Sequence, residues 1–153
     1  MRRYEAGDDV DIVRELINRS LRILSGHLHS RDAFDRHEVH LRSDAFASEL
    51  ENLAYWVVID SRRTIKGCGG WAPDLHRGAA RIREVFVDPD ATRCGVGSLV
   101  VRTAITDARG SGFDSVWVLS SQYAIPFYSS LGFITDGSLT TDDLPSMPMV
   151  LAG

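Results

Sequence analysis

Val87-Asp88-Pro89-Asp90-Ala91-Thr92-Arg93-Cys94-Gly95-Val96-Gly97-Ser98 decides the fold of this chain. An apolar, strand-like run from Ile82 to Val87 stops at a Pro-containing turn. A short Arg- and Gly-bearing loop follows, and then a helix with an apolar stripe. Strand, glycine loop and helix N-terminus together make a phosphate cradle. The first helical N–H groups have no intrahelical acceptor, and the helix dipole adds partial positive charge there. Gly95 and Gly97 carry no Cβ, so a phosphate oxygen can approach the backbone closely. Two common phosphate motifs are excluded. Val100 stands where the third glycine of G-x-G-x-x-G belongs, and no Gly-Lys-Ser/Thr closes a P-loop.

Outward from this loop, the chain reads as a single domain over residues 1–153, long enough to bury a real core. Its formal charge of −4 and lack of a polybasic run argue against nucleic-acid binding. No stretch approaches the roughly 18 apolar residues of a membrane span. Arg2 and Arg3 are followed by mixed polar sequence rather than an apolar leader, so the expected location is cytoplasmic. Cys68 and Cys94 are the only cysteines and are expected to stay reduced.

Periodicity supplies the elements. Arg2 to Ala6 is a candidate first strand. Asp8 or Asp9 can cap a helix in which Val10, Val13, Leu16, Ile17, Leu21 and Leu24 recur at helical spacing until Ser25-Gly26. A second helical zone covers Arg31 to Leu50. Tyr55–Ile59 and Ile65–Trp71 read as a hairpin, Ala72–Gly78 as a loop and Arg81–Val87 as a third strand. In the next helix Val96, Leu99, Val100, Thr103, Ala104 and Ala108 share one face, and Gly110 with Gly112 ends it. Asp114–Leu119 is a strand and Ala124–Leu131 a short helix. Phe133–Thr135 and Met147–Leu151 close the chain as strands. This order predicts an α/β (α+β) fold, a mixed sheet with helices on both faces.

Thirty residues beyond the loop stands Ala124-Ile125-Pro126-Phe127-Tyr128-Ser129-Ser130-Leu131-Gly132-Phe133. The two segments, in this order and at this spacing, resemble the GNAT family of acyl-CoA-dependent N-acetyltransferases. In that family V-x-P-x-x-(R/Q)-x-x-G-x-G/A forms the pyrophosphate loop, and A-x-x-F-Y-x-x-x-G-F follows. The detailed match runs from Ile82 to Phe133, and a weaker one extends upstream to Tyr55. One departure is clear: Thr92 stands where the family has Arg or Gln, and Arg93 comes one place later. The resemblance implies a mostly antiparallel sheet of six to seven strands with one splayed parallel pair. It also implies acetyl-CoA as cosubstrate and the primary amine of a small molecule or peptide as acceptor. Family members often dimerise, so a homodimer is compatible with it.

The implied site follows residue by residue. A bulged strand would present the backbone of Val85, Phe86 and Val87 to pantetheine, with one N–H facing the thioester oxygen. Thr92, Arg93, Cys94, Gly95, Val96, Gly97 and Ser98 would surround the pyrophosphate, and Ala124 and Phe127 would complete the cosubstrate site. Tyr128 would protonate the departing thiolate. At reference values, a phenol near pKa 10 giving a proton to a thiolate near 8.5 moves uphill by roughly 2 kcal/mol. The attacking amine must be neutral, and a lysine-like amine costs about 4–5 kcal/mol to deprotonate at pH 7. Glu84, just before the bulged segment, is the candidate base. Its alternative is a strand carboxylate paired with Arg81 or Arg83. Ser120 and Ser121 are expected to cap the next helix or to orient substrate.

Four histidines, His27, His29, His37 and His40, crowd the second helical zone. His37-Glu38-Val39-His40 is not H-E-x-x-H, so no metal is expected and the histidines read as solvated, while the resemblance sets this zone over the acceptor side, where one of them could touch substrate. Trp71, Asp74 and His76 are placed on the acceptor side of the cleft by the resemblance. The rival class is a non-catalytic acyl-CoA-binding regulator on the same fold, which Tyr128 argues against.

Overall fold

Alternate residues of the 54–59 segment bury opposite faces. Tyr55 and Val57 join one hydrophobic cluster, and Trp56 joins the other. Such a strand must lie inside a sheet that is covered on both sides. The computed structural model, which describes residues 1–7, 9–26, 28–141 and 144–152, has this layered form. Seven strands, β1 (Arg2–Arg3), β2 (Ala54–Ile59), β3 (Ile65–Asp74), β4 (Ala79–Val87), β5 (Val116–Ser121), β6 (Phe133–Thr135) and β7 (Ser146–Leu151), form one sheet. Their order is β1-β2-β3-β4-β5-β7-β6, and every pair is antiparallel except β4–β5. Helices α1 (Val10–Ser25), α2 (Arg31–Leu41) and α3 (Asp44–Glu51) pack their apolar stripes on one face. Helices α4 (Val96–Gly110) and α5 (Ile125–Ser130) cover the other. No helix of the described residues is long and apolar enough to cross a membrane.

The expected mixed sheet is present, with several local differences. The 31–50 zone is two helices, because the Ser43 hydroxyl accepts the Phe46 N–H and starts a new one. β3 runs on to Asp74, through residues read as loop. Asp9 sits at the α1 N-cap without a side-chain cap bond; its carboxylate accepts the Glu5 N–H and pairs with Arg2 at 2.8 Å. Asp8 lies outside the described residues. The buried face of α4 is Gly97, Val100, Val101, Ala104, Ile105 and Ala108, with Leu99 45% exposed. The helix is rotated from the predicted stripe because Gly97 faces inward. A Cβ there would lie 3.1–3.2 Å from the Phe127 ring and the Val87 side chain.

Two backbone features open the sheet. Gly67, Cys68 and Gly70 pair with Val87, Phe86 and Arg83, so Gly69 faces two residues of β4, and Glu84 takes φ +53°. This is a β-bulge, with one extra residue on the bulged strand. The Glu84 carbonyl, freed from the ladder, accepts the Tyr55 hydroxyl at 2.6 Å. Tyr55→Phe should therefore cost about 1–3 kcal/mol, as expected when a buried acceptor loses its donor. Urea unfolding checks this; an unchanged midpoint would mean the bulge holds without the phenol. The parallel pairing of β4 with β5 ends at Ile82↔Val118. Beyond it the two strands diverge, and the β5-facing edge of β4 is unpaired.

Candidate active site

Divergence of β4 from β5 leaves a groove of about 530 Å³ on one side. Its floor is Val85, Phe86 and Val87, the segment whose backbone edge is free. At one end, Thr92, Arg93, Gly95, Val96, Gly97 and Ser98 surround the start of α4. Ala124, Phe127 and Tyr128 form the wall beyond β5, and Leu21, Leu24 and Ser25 of α1 the opposite wall. Cys94 is the one expected loop residue that does not line the groove. It is exposed, and its thiol lies 3.6 Å from the Thr92 carbonyl.

The loop is built to expose backbone donors. A short 3-10 turn at Pro89–Ala91 is capped by buried Asp88, which accepts the Asp90 N–H at 2.8 Å and pairs with Arg19 of α1 at 2.9 Å. Thr92 closes the turn through its hydroxyl, onto the Pro89 carbonyl at 3.3 Å. Arg93 and Gly95 then adopt positive φ, +65° and +80°, and α4 begins. The N–H groups of Val96, Gly97 and Ser98 have no acceptor within the helix. There is no acidic residue in the first turn of α4 to compete for them. A Cβ on Gly95 would meet nothing within 4 Å, so its side is open for an incoming group.

The two glycines therefore have different tasks, which their spacing alone did not separate. Gly95→Val should strain a left-handed residue by about 1–2 kcal/mol and set methyls in the open approach. Acetyl-CoA affinity should fall severalfold or more while the fold survives. Gly97→Val instead overpacks Phe127 and Val87, and should cost about 1–3 kcal/mol of stability whether or not ligand is present. Thermal unfolding with calorimetry separates the two. Wild-type acetyl-CoA binding by folded Gly95→Val would contradict the loop's role.

A second cavity, about 190 Å³, lies on the other side of the splay. Its walls are β4 from Arg81 to Phe86, the end of β5, His29 and His37 of the α1–α2 region, and the chain at Leu144–Ser146. The two cavities share Leu21, Val85, Phe86, Ser121, Ala124 and Tyr128, so they meet at the Tyr128 side chain. Tyr128 is 4% exposed and held edge-on by Phe127 and Phe133, at centroid distances of 5.0 and 5.4 Å. Its hydroxyl has no hydrogen-bond partner among the described residues. Burial, with a smaller push from Glu84, raises its pKa well above that of a free phenol.

Glu84 lines the second cavity, half-buried, and forms no ion pair among the described residues. The expected competitor, Arg83, is taken by Glu49 of α3. Burial raises the Glu84 pKa, and Arg83 and Arg81 oppose the shift only in part. The bulge turns this side chain into the cleft, which strand alternation could not reveal. Ser120 and Ser121 line the cavity too, but neither caps α5. Ala124 is its N-cap, and the Ser120 hydroxyl donates to the Ser121 carbonyl at 2.8 Å. Trp71, Asp74 and His76 lie away from both cavities. Trp71 is in the core with its indole N–H on Asp107, and Asp74 accepts the Trp117 indole N–H. His37, read as solvated, is half-buried in the cavity wall, and burial, with a smaller push from His40, lowers its pKa. His27 lies outside the described residues. Among the described residues no three His, Cys, Asp or Glu side chains cluster as metal ligands.

Comparison with known proteins bears on this geometry. Residues 13–133 match the model of the acetyltransferase (GNAT) family. The chain belongs to this family. A 67-residue stretch is 42% identical to an uncharacterized N-acetyltransferase of Methanocaldococcus jannaschii, covering 41% of this chain and 30% of that protein. The chain thus matches less than a third of that curated relative's length. Among solved structures, the GNAT chain superposes on a GCN5-related N-acetyltransferase from Rhodopseudomonas palustris with TM-score 0.86 and 17% identity, over 99% of this chain and 93% of that one. The PaiA N-acetyltransferase of Thermoplasma acidophilum, solved in complex with coenzyme A, gives 0.82 and 12%, over 99% of both chains. At these identities the superpositions establish the GNAT fold, with its splayed parallel pair.

Proposed function

We propose that this chain is a GNAT N-acyltransferase that moves an acetyl group from acetyl-CoA to the primary amine of a small molecule or peptide by direct attack. The observation that carries the reading is the meeting of two cavities at a buried tyrosine, whose hydroxyl has no partner among the described residues, beside a strand edge free of sheet partners. The family match supports acetyl-CoA as donor, and the local fit agrees. The larger groove offers the free edge of Val85–Val87, the open side of Gly95, and the N–H groups of Val96, Gly97 and Ser98 to a pyrophosphate. The exposed Arg93 guanidinium has no partner among the described residues and is the cation we assign to the phosphates, in place of the absent Arg or Gln at 92.

Acetyl-CoA supplies the activated acyl group, whose C–S bond breaks as the amine nitrogen forms a C–N bond to the carbonyl carbon. The chain's own groups handle the charge. A backbone N–H of the bulged segment faces the developing oxyanion. Glu84 takes the amine proton, directly or through water. Tyr128 gives its proton to the thiolate. Its raised pKa keeps the phenol protonated at working pH but makes the donation harder than the roughly 2 kcal/mol of the reference pair. Part of the rise comes from the negative charge of Glu84. Once Glu84 has accepted the amine proton, that charge is gone and Tyr128 becomes the stronger acid when the thiolate leaves.

Intact-protein mass spectrometry tests direct attack. Incubation with acetyl-CoA alone should leave the chain's mass unchanged, and adding amine should yield amide and CoA in equal amounts. An acetylated protein competent to pass its acetyl group to the amine would overturn the direct route.

A further inference from the structure

Among the described residues, two buried side-chain nitrogens have no hydrogen-bond partner: Nε of Arg81 and Nε2 of His37. Both residues line the smaller cavity. A buried polar atom left unpaired is costly to the folded state, and native proteins rarely keep one without a use.

Arg81 is held in place. It lies on β4 beside Trp117, with its guanidinium carbon 4.9 Å from the indole centroid. It has no ion pair among the described residues, and the acids nearby are engaged or serve otherwise. Glu49 pairs with Arg83. Asp74, whose charge acts on Arg81 most strongly, accepts the Trp117 indole N–H at 3.0 Å and the His76 N–H at 3.1 Å. An Arg side chain with its Nε edge free is a fork that matches the two oxygens of a carboxylate. Glu84 stands three residues along the same strand, roughly 10 Å away at about 3.3 Å per residue, and lines the same cavity. One cation and one anion thus border a space of about 190 Å³. That is smaller than the roughly 300–1,000 Å³ of drug-sized ligand sites.

We propose that Arg81 anchors a carboxylate on the acceptor, so that the amines this site takes are free amino acids. The ammonium end lies toward Glu84 and the splay, and the carboxylate on the Arg81 fork. His37, as the Nε2–H tautomer, supplies a further hydrogen bond from α2. The inference rests on the acyl-transfer reading, which makes this cavity the acceptor side.

The test is thiol release from acetyl-CoA with the common L-amino acids, each compared with its carboxamide. The carboxamide keeps the side chain and carries a less basic amine, so it is the better nucleophile at neutral pH unless the carboxylate is recognised. For amino acids that react, kcat/KM should exceed that of the carboxamide by tenfold or more, mostly through KM. Arg81→Met and Arg81→Gln should abolish that preference, and Arg81→Lys should keep part of it, with acetyl-CoA affinity unchanged in all three. Equal kcat/KM for acid and carboxamide, or a preference that survives Arg81→Met and Arg81→Gln, would overturn the proposal. Should no amine react, acyl transfer falls, and calorimetry of the same pairs on CoA-loaded protein decides the carboxylate site alone. Arg81-dependent binding of the acid supports the site. Equal binding of acid and carboxamide, or none, rejects it.

Discussion

Tyr128→Phe is expected to lower kcat by about 10²-fold or more, the usual contribution of a positioned general acid, with acetyl-CoA affinity little changed. The substitution isolates the proton. The ring keeps its edge-on contacts with Phe127 and Phe133, and the hydroxyl it loses has no partner among the described residues whose bond would also be broken. Steady-state kinetics with calorimetric binding separates the effects. Unchanged turnover would show that water or another group protonates the thiolate.

Glu84→Gln should also lower kcat near neutrality and recover part of the loss at high pH. The penalty for a protonated amine, about 4–5 kcal/mol at pH 7, falls by about 1.4 kcal/mol per pH unit as solvent supplies neutral amine. Because burial raises the carboxyl's pKa, the acid limb of the wild-type profile should lie above the ordinary carboxylate range. The same shift acts on stability with a definite sign. The folded pKa exceeds the unfolded one, so the group's contribution is fully present below the unfolded value and is lost as pH rises through the folded one. Glu84→Gln should therefore be more stable than wild type at neutral pH, and equal to it below about pH 4. A pH–rate profile parallel to wild type, with no gain in stability, would make Glu84 structural.

Much of this site was legible in the sequence because its parts follow local rules. Proline after a strand, glycines at a helix start and an apolar helical stripe each have a nearby physical cause, so the loop, α4 and Tyr128 could be named. The errors came from tertiary contacts. The face of α4 is set by Gly97 against Phe127, residues thirty apart. The direction of Glu84 is set by a bulge, and no residue type announces one. His37 read as solvated and Arg81 as a possible partner of Glu84, because only the folded chain brings α2 and β4 to one cavity and leaves both nitrogens without partners among the described residues. Ser120 and Ser121 are capping residue types shortly before a helix, but the chain continues through Tyr123 and α5 begins after Ala124.

An enzyme that acetylates amines differs from a protein that merely binds acyl-CoA in one observable, the amine-dependent loss of the thioester. The most direct measurement is thiol release from acetyl-CoA by purified protein, with and without a panel of primary amines. Little release is expected without amine, and stoichiometric, amine-dependent release with at least one acceptor. Tight acetyl-CoA binding with no amine-dependent release from any of the panel would contradict it and favour an acyl-CoA-binding regulator.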